Sequence, residues 1–342
     1  MRKSVVLLAA LGCSACATAP AAPPVNSPAA VTVTAGSETA PVGTAAADAA
    51  DDPAIWHNAA DPGASLIVAT DKKAGLYVYG MDGKARFNNR DGRLNNVDLV
   101  DMPGKGVIVV ASDRNDPLHA LLRIYRLNTT TAQLLPLAAL PGGNGEAYGL
   151  CLWADGADLH AFSVLKDGTI EEYLLSLDGT PNATHQRTRK LATQTEGCVV
   201  DPRDGTLYVG EEDVGIWRYR SKSTGGELVA KVDNQHLVAD VEGLAIAPEG
   251  TGGGYLVASS QGDNAYVLYR LPDMTPAGRF RIGAGEFGAT QETDGIAVSG
   301  GNFGPLYPGG LFVAQDGDNA PHAQNFKLVS WAAVMAALKT VP

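Results

Sequence analysis

The residues best suited to chemistry in this sequence are carboxylates and amides that open short apolar segments. Six segments carry such a group in their first two positions, at 51–56, 95–99, 146–150, 195–199, 240–244 and 293–297. Carboxylate, amide and backbone carbonyl oxygens are hard ligands, which suit calcium better than zinc or copper. Gathered in one place, such carboxylates repel one another unless cations neutralise them. The pattern therefore indicates a site for several Ca²⁺ ions.

Basic side chains form a second set that could do chemistry. Lys72, Lys73, Arg114 and Lys166 stand in polar loops, and an anion bridged by cations needs such groups beside the carboxylates. Beyond residue 16 the sequence has no GxSxG nucleophile elbow, no GxxxxGK phosphate loop and no HExxH or paired-cysteine spacing. A zinc enzyme is therefore disfavoured, and an anionic substrate is favoured.

A sixfold repeat of strands must position these groups. Each acidic opening is followed by a strand, a polar loop and another strand, at 66–70 with 75–79, 107–112 with 121–127, 159–164 with 169–175, 207–212 with 215–219, 255–260 with 265–271, and 311–316 with 325–331. This spacing is close to the roughly 40–50 residues of a propeller blade. It predicts an all-β fold, a six-bladed β-propeller of four-stranded antiparallel blades over residues 31–342. Residues 31–34 are expected to complete the last blade and close the ring.

Strand parity then gives the position of the site. In an up-and-down blade, the start of the first strand and the loop between the second and third strands lie at the same end. The acidic openings and the basic loops are therefore expected on one surface, around the channel mouth. Cys151 and Cys198 fall on the inner strands of neighbouring blades, and we expect a disulfide between them in an exported chain.

The N-terminus predicts export. Arg2 and Lys3 precede an apolar run at 5–11 and small residues that extend to Cys16, so residues 1–16 form an export signal, too short to span a bilayer. Cys13 resembles a lipoprotein cleavage site, with ordinary cleavage further along as the alternative. Residues 17–30 are rich in Ala and Pro and form a flexible tether. The expected location is the periplasm, the outer membrane as a lipoprotein, or the medium of a bacterium.

The charge balance limits the partners. The chain has 37 acidic and 26 basic residues, which disfavours nucleic acid and anionic membranes because both need clustered Lys and Arg. Contact with a membrane is expected only through a lipid on Cys13. A closed propeller has no free sheet edge, so a monomer is expected.

Longer motifs resemble those of the β-propeller phytases from about residue 46 to residue 331. The matching segments include ADAADDPAIW (47–56), DKKAGLYVY (71–79), LNNVDL (94–99), EAYGL (146–150), QTEG (194–197), LYVGEEDVGIW (207–217), DVEGL (240–244), TDGI (293–296), LFVAQDGDN (311–319) and NFKLVSW (325–331). This resemblance implies a calcium-dependent phytase. Such an enzyme would hydrolyse phosphomonoesters of myo-inositol hexakisphosphate with metal-activated water and without a covalent intermediate.

The resemblance also implies roles for individual residues. Calcium ligands carry over to Asp52, Glu196, Glu212, Asp240, Glu242 and Asp294, with Asp51, Asn96, Asp98, Asp316 and Asn319 as further candidates. Phosphate-binding groups carry over to Lys72, Lys73, Arg114, Tyr148 and Lys166. Within these sets, Glu212, Glu196, Asp52 and Tyr148 are expected to act in catalysis. The segment 286–291 lacks the second acidic turn that such phytases can carry, so one calcium is expected to be bound more weakly or by different ligands.

Two other functions fit the same fold. A calcium-dependent propeller lactonase would explain the ring of carboxylates but not the basic groups. A non-catalytic, calcium-stabilised binding lipoprotein would release no phosphate even with calcium present.

Overall fold

The computed structural model describes residues 28–45 and 48–340. The predicted export signal, Cys13 and most of the tether lie outside these residues. Two short strands come first, β1 (Val31–Thr34) and β2 (Ser37–Glu38). The next strands are β3 (Ala50–Trp56), β4 (Leu66–Asp71), β5 (Gly75–Gly80) and β6 (Ala85–Asn88), which form blade 1, and β7 (Leu94–Met102), β8 (Gly106–Asp113), β9 (His119–Asn128) and β10 (Gln133–Asn144), which form blade 2.

The remaining blades follow in chain order. Blade 3 contains β11 (Ala147–Asp155), β12 (Asp158–Leu165), β13 (Thr169–Ser176) and β14 (Asn182–Lys190), and blade 4 contains β15 (Thr195–Val200), β16 (Leu207–Glu211), β17 (Gly215–Tyr219) and β18 (Gly226–Lys231). Blade 5 contains β19 (Val241–Glu249), β20 (Gly253–Ser260), β21 (Ala265–Arg270) and β22 (Thr275–Gly283). Blade 6 contains β23 (Ile296–Ser299), β24 (Leu311–Asp316) and β25 (Asn325–Ser330), and helix α1 (Trp331–Leu338) follows it.

The first strands of the blades form the wall of a central channel. β3, β7, β11, β15, β19 and β23 contact one another in sequence, and β23 returns to β3. The predicted six-bladed propeller is therefore confirmed. Among the described residues, no helix has the length and apolar character needed to cross a membrane.

The period-two pattern of the strands explains how the blades pack. Adjacent residues on a strand point to opposite faces of the sheet. On β4, Val68 packs with Val109 of blade 2, whereas its neighbour Ile67 packs with Val313 of blade 6. Each blade thus buries both faces against its neighbours, which accounts for strands that are apolar at successive positions.

Ring closure differs from the prediction. Residues 31–34 were expected to complete the last blade, but β1 instead pairs in parallel with β22 as a fifth strand of blade 5. The strand that completes blade 6 is β2, which pairs antiparallel with β25. Because only Ala35 and Gly36 separate β1 from β2, the N-terminal segment joins two blades side by side.

A disulfide joins two inner strands. Cys151 on β11 and Cys198 on β15 are both buried and bonded, with their Cα atoms 5.7 Å apart. The predicted pairing of neighbouring blades is confirmed.

Removing this disulfide should destabilise the propeller. The Cys151→Ala/Cys198→Ala variant should lose about 2–4 kcal/mol in the free energy of unfolding, because the bond closes a long loop in the unfolded chain. Urea unfolding of the variant and the parent measures the loss. Alkylation of the unfolded, unreduced parent is the control. If mass analysis found both thiols labelled, the bond would be absent from the protein.

Candidate active site

The site residues lie where the inner strands are irregular. The pairing of β3 with β4 shifts register between Ala50 and Pro53. Over this interval β3 advances by three residues and β4 by two, so β3 contains one extra residue. The same one-residue bulge occurs at the start of β7, β11, β15 and β19. Bulges re-aim side chains and are common beside active sites. They place residues 51–52, 95–96, 148–149, 196–197 and 242–243 at one end of the channel.

A glycine follows the candidate site residue in the bulges of β11, β15 and β19 and in the opening of blade 6. A Cβ atom on Gly149 would lie 1.8 Å from the carbonyl oxygen of Glu196, and one on Gly197 would lie 2.0 Å from that of Glu242. A Cβ atom on Gly243 would lie 2.6 Å from the nitrogen of Ile296, and one on Gly295 would lie 2.5 Å from the Cα atom of Asp52, each on the next blade. The bulges can therefore crowd together around the channel only because these positions lack a side chain.

Three glutamates form the centre of the site. Carboxylate oxygens of Glu196, Glu212 and Glu242 lie within 4.8 Å of one another, and all three residues are buried. Glu196 and Glu242 come from the bulges of blades 4 and 5, and Glu212 comes from the loop after β16. The starts of the inner strands and the loops between the second and third strands, which the sequence predicted to share one surface, therefore meet. Glu212 Oε1 is buried without a hydrogen-bond partner.

A hydrogen-bond network links this cluster to the other blades. Lys72 Nζ donates to Asp51 Oδ1 at 2.8 Å and to Asp294 Oδ2 at 3.3 Å, and it also pairs with Asp48. Asn95 Nδ2 donates to Asp51 Oδ2 at 3.1 Å and to Glu196 Oε1 at 2.6 Å. The blades therefore meet at one polar centre, as the strand parity predicted.

Burial and mutual repulsion raise the pKa values of these carboxyl groups. The pKa values of Glu196 and Glu242 lie well above the usual range, first because of burial and then because of neighbouring carboxylates. Burial, followed by the charge of Asp51, raises the pKa of Asp294 to about 8 even though Lys72 lowers it. The pKa of Glu212 is also raised by burial, with Asp240 adding to the effect. The cluster thus carries less charge than its composition suggests until a cation enters.

Two basic residues, Arg114 and Lys166, lie over the aromatic ring of Tyr148. Lys166 Nζ lies 5.0 Å and Arg114 Cζ 5.6 Å from the centre of the Tyr148 ring, within the range of cation–π contacts. Arg114 is buried and its Nε has no hydrogen-bond partner, although Nη1 lies 3.7 Å from Glu146 Oε1. Burial and the charge of Glu196 raise the pKa of the Tyr148 hydroxyl, so it stays protonated. Arg114, Lys166 and Tyr148 can therefore donate hydrogen bonds to a bound anion.

Asp52 and Asp98 have different surroundings from the three glutamates. Asp52 Oδ2 accepts a hydrogen bond from Val97 N at 3.0 Å, and Asp98 Oδ2 accepts one from Leu152 N at 2.8 Å. Both line the central channel, which encloses a cavity of about 240 Å³. One oxygen of each carboxylate is committed to the backbone of the next blade. These hydrogen bonds hold neighbouring inner strands together, and the predicted part of Asp52 and Asp98 in binding calcium stays a prediction.

Asp316 and Asn319 also lie outside the cluster. Asp316 Oδ2 and Asn319 Oδ1 are 3.0 Å and 3.2 Å from Nζ of the buried Lys327, whose ammonium is the cation they contact. The segment 286–291 supplies Gln291, whose N–H donates to Asp316 Oδ1, whereas Glu286 is exposed. That Asp316 and Asn319 bind calcium stays a prediction.

The other predicted residues lie at the edge of the site. Asn96 has its side-chain amide 3.0 Å from Glu196 Oε1 and 3.0 Å from the Tyr148 carbonyl. Asp240 is only partly buried, and burial followed by the charge of Asp213 raises its pKa. Lys73 is partly exposed and donates to Asp48 Oδ2 at 3.1 Å.

Three residues of the network were not among the predicted site residues. Asn95 bridges two carboxylates, Asp48 pairs with both loop lysines, and Gln261 Nε2 donates to Asp294 Oδ1 at 2.6 Å. Their positions carried a signal, because each stands beside or within an opening or loop that the repeat had identified. What the repeat could not show was which of two adjacent polar residues faces the channel.

Comparison with known proteins identifies relatives of the whole chain. A sequence model of the family described as Phytase matches residues 3–342. A 3-phytase of Bacillus subtilis (strain 168) is 40% identical over 332 residues, which covers 91% of this chain and 86% of the relative. Among solved structures, a chain in a crystal structure of the mitotic checkpoint complex superposes with a TM-score of 0.51 and 14% identity, covering 92% of this chain and 82% of the other. At that identity the likeness shows the fold alone.

Proposed function

The chain belongs to the phytase family and is a phytase, and we propose that it removes phosphate groups from inositol hexakisphosphate in a calcium-dependent reaction at the channel mouth. The family membership supports the reaction class. The arrangement of the cluster supports the metal. The observation that carries the proposal is the buried trio Glu196, Glu212 and Glu242, with basic donors beside it.

The residues present fit calcium. The trio offers carboxylate oxygens and no nitrogen or sulfur, which is the ligand chemistry of a hard cation. Glu212 Oε1 is buried without a partner, so its desolvation is uncompensated within the protein alone. A divalent cation would stabilise the ionised form of these three carboxylates, which burial and mutual repulsion disfavour. Glu196, Glu212 and Glu242 would hold it, with Asp51, Asp240 and Asp294 around them.

The protein's own residues would bind and orient the substrate. Arg114 and Lys166, held over the Tyr148 ring, present positive charge next to the acidic trio. They would bind the phosphates next to the one that is cleaved, and this binding energy would hold the cleaved phosphate in position. The Tyr148 hydroxyl, which remains protonated, can donate to a phosphate oxygen. Calcium, when bound, would offset phosphate charge and lower the pKa of the attacking water.

The setting of the enzyme is part of the proposal. We infer an exported, monomeric protein, from the signal-like residues 1–16 and from sheets that are paired at both ends of the chain. A lipid on Cys13 remains a prediction.

Phosphate release from inositol hexakisphosphate tests the proposal. The protein should release phosphate with calcium and lose at least about 100-fold of that rate in a chelator, because transition-state charge would be unshielded. Restoring calcium should restore the rate, and magnesium at the same concentration is the control. A rate independent of calcium would contradict the metal assignment. Hydrolysis of lactones without phosphate release would favour the lactonase alternative.

A further inference from the structure

The carboxylate that opens blade 3 has no part in the proposed metal site. Glu146 immediately precedes β11, and its Oε1 atom lies 3.7 Å from Arg114 Nη1 and 3.9 Å from Arg93 Nη2. An N–H···O hydrogen bond is shorter, about 2.7–3.2 Å. By contrast, Arg123 of blade 2 donates to Asp113 Oδ2 at 2.6 Å. Glu146 therefore balances the charge of two guanidinium groups without accepting a hydrogen bond from either.

Hydrogen bonds hold the two arginines side by side. Arg93 lies in the loop between β6 and β7, and its carbonyl oxygen accepts a hydrogen bond from Arg114 N at 3.0 Å. Asn115 Oδ1 accepts one from Arg93 N at 3.0 Å, and Asn115 Nδ2 donates to the carbonyl oxygen of Asp91 at 3.1 Å. The loops before β7 and after β8 are thus joined at three points. The side chains of Arg93 and Arg114 therefore extend from neighbouring, fixed positions.

The two guanidinium groups are suited to an anion that arrives from solvent. The Arg114 side chain is 7% exposed and its Nε is buried without a hydrogen-bond partner, whereas the Arg93 side chain is 47% exposed. Guanidinium groups bind phosphate oxygens through their fixed array of donors. The carbonyl oxygen of Glu146 accepts a hydrogen bond from Lys166 N at 3.1 Å, which places the arginine pair beside the loop that carries Lys166. A phosphate bound by the pair would therefore adjoin the proposed active site.

We propose that Arg93 and Arg114 form a subsite for a second phosphate group of the substrate, and that Glu146 competes with this phosphate for the two arginines. The inference deepens the proposed function and rests on it for the identity of the substrate, a small molecule with several phosphates. Because the Glu146 carboxylate repels an incoming phosphate, it lowers the affinity of the subsite. It also balances the arginine charges when no phosphate is bound. Arg93 thus favours substrates with more than one phosphate, and Glu146 limits how tightly they are held.

Calorimetric titration with inorganic pyrophosphate in a chelator tests the subsite without calcium or turnover. Arg93→Ala should weaken binding about fivefold because a donor group is lost, and Glu146→Gln should tighten it about threefold because the competing charge is lost. In Arg93→Ala/Glu146→Gln the tightening should be smaller, since one of the two arginines is gone. The control Arg86→Ala removes the same charge from the outer strand of blade 1, where Arg86 pairs with Asp82, and should bind like the parent. Unchanged or weaker binding by Glu146→Gln would overturn the proposal.

Steady-state kinetics with calcium then tests the subsite in the enzyme. For inositol hexakisphosphate, Arg93→Ala should raise KM about fivefold and change kcat less than about twofold, because the subsite binds a phosphate that is not cleaved. A fall in kcat with unchanged KM would overturn the subsite. If the pyrophosphate series followed the expected order but the parent released no phosphate, the proposed function would be wrong and the anion subsite would stand. If the parent released phosphate with calcium but the pyrophosphate series failed, only the subsite would be wrong.

Discussion

Replacing Glu212 with glutamine should lower kcat for phosphate release from inositol hexakisphosphate by about 100-fold or more, the scale seen when one group that stabilises transition-state charge is lost. Glutamine keeps the shape of the side chain but removes a charge from the buried trio. Glu212 Oε1 has no partner within the protein, so this charge is available to a metal. If the loss reflects metal occupancy, excess calcium should restore part of the rate.

Two further variants make this result specific. Glu227→Gln makes the same chemical change on the exposed outer strand of blade 4, where Glu227 pairs with Arg218, and it should leave kcat unchanged. Lys166→Ala removes a grip on a phosphate and leaves the trio intact. If that phosphate is not the one cleaved, KM should rise more than kcat falls. Near-parental turnover of Glu212→Gln at every calcium level would show that Glu212 does not bind the metal.

The architecture could be predicted from the sequence because the same pattern of strands recurs six times. Six acidic openings at blade-like spacing, each followed by an apolar strand pair, require a ring in which all openings face one way. The acidic residue followed by glycine, as in Glu196–Gly197 and Glu242–Gly243, also carried information on crowding at the channel. These signals are local in sequence and are repeated, so errors at one position do not alter the fold.

The side-chain directions within the site could not be predicted in this way. In a regular strand Asp51 and Asp52 would point to opposite faces, but the bulge between Ala50 and Pro53 changes where each points. Asp51 reaches Lys72 and Asn95, whereas Asp52 accepts a hydrogen bond from the backbone of Val97. Two adjacent carboxylates therefore have unlike surroundings, which neither spacing nor composition distinguishes.

Contacts between residues far apart in the sequence account for two further differences from the prediction, the burial of Lys327 and the position of the closing strand. A lysine in a strand normally keeps its charge in solvent, and nothing near Lys327 in the sequence predicts that Glu38, 289 residues away, will bury it. The closing strand was assigned to one blade because one outer strand was missing. The chain instead divides the N-terminal segment between two blades. Both outcomes depend on residues that meet only when the ring closes.

Calcium should raise the melting temperature of the protein, and this effect should grow as the pH rises from about 4 to about 8, the interval between the ordinary pKa of an aspartic acid and the value of about 8 for Asp294. In the metal-free fold, raised pKa values mean that the folded state binds more protons than the unfolded chain. The contribution of these groups to stability in a chelator is therefore greatest at low pH and is lost as the pH rises through the folded pKa. Bound calcium neutralises the ionised carboxylates and removes this loss.

The size of the effect follows from binding linkage. An ion present at 100 times its dissociation constant adds about 2.7 kcal/mol to the free energy of unfolding, which for a domain of this size corresponds to about 4 °C. Thermal melting at pH 5 and pH 8, in calcium and in chelator, measures it. Glu196→Gln/Glu242→Gln is the decisive control, because it removes the repelling charges together with the ligands. It should melt above the parent in chelator at pH 8 and gain little from calcium, whereas parent curves that coincide in calcium and chelator at pH 8 would show that the cluster binds no metal.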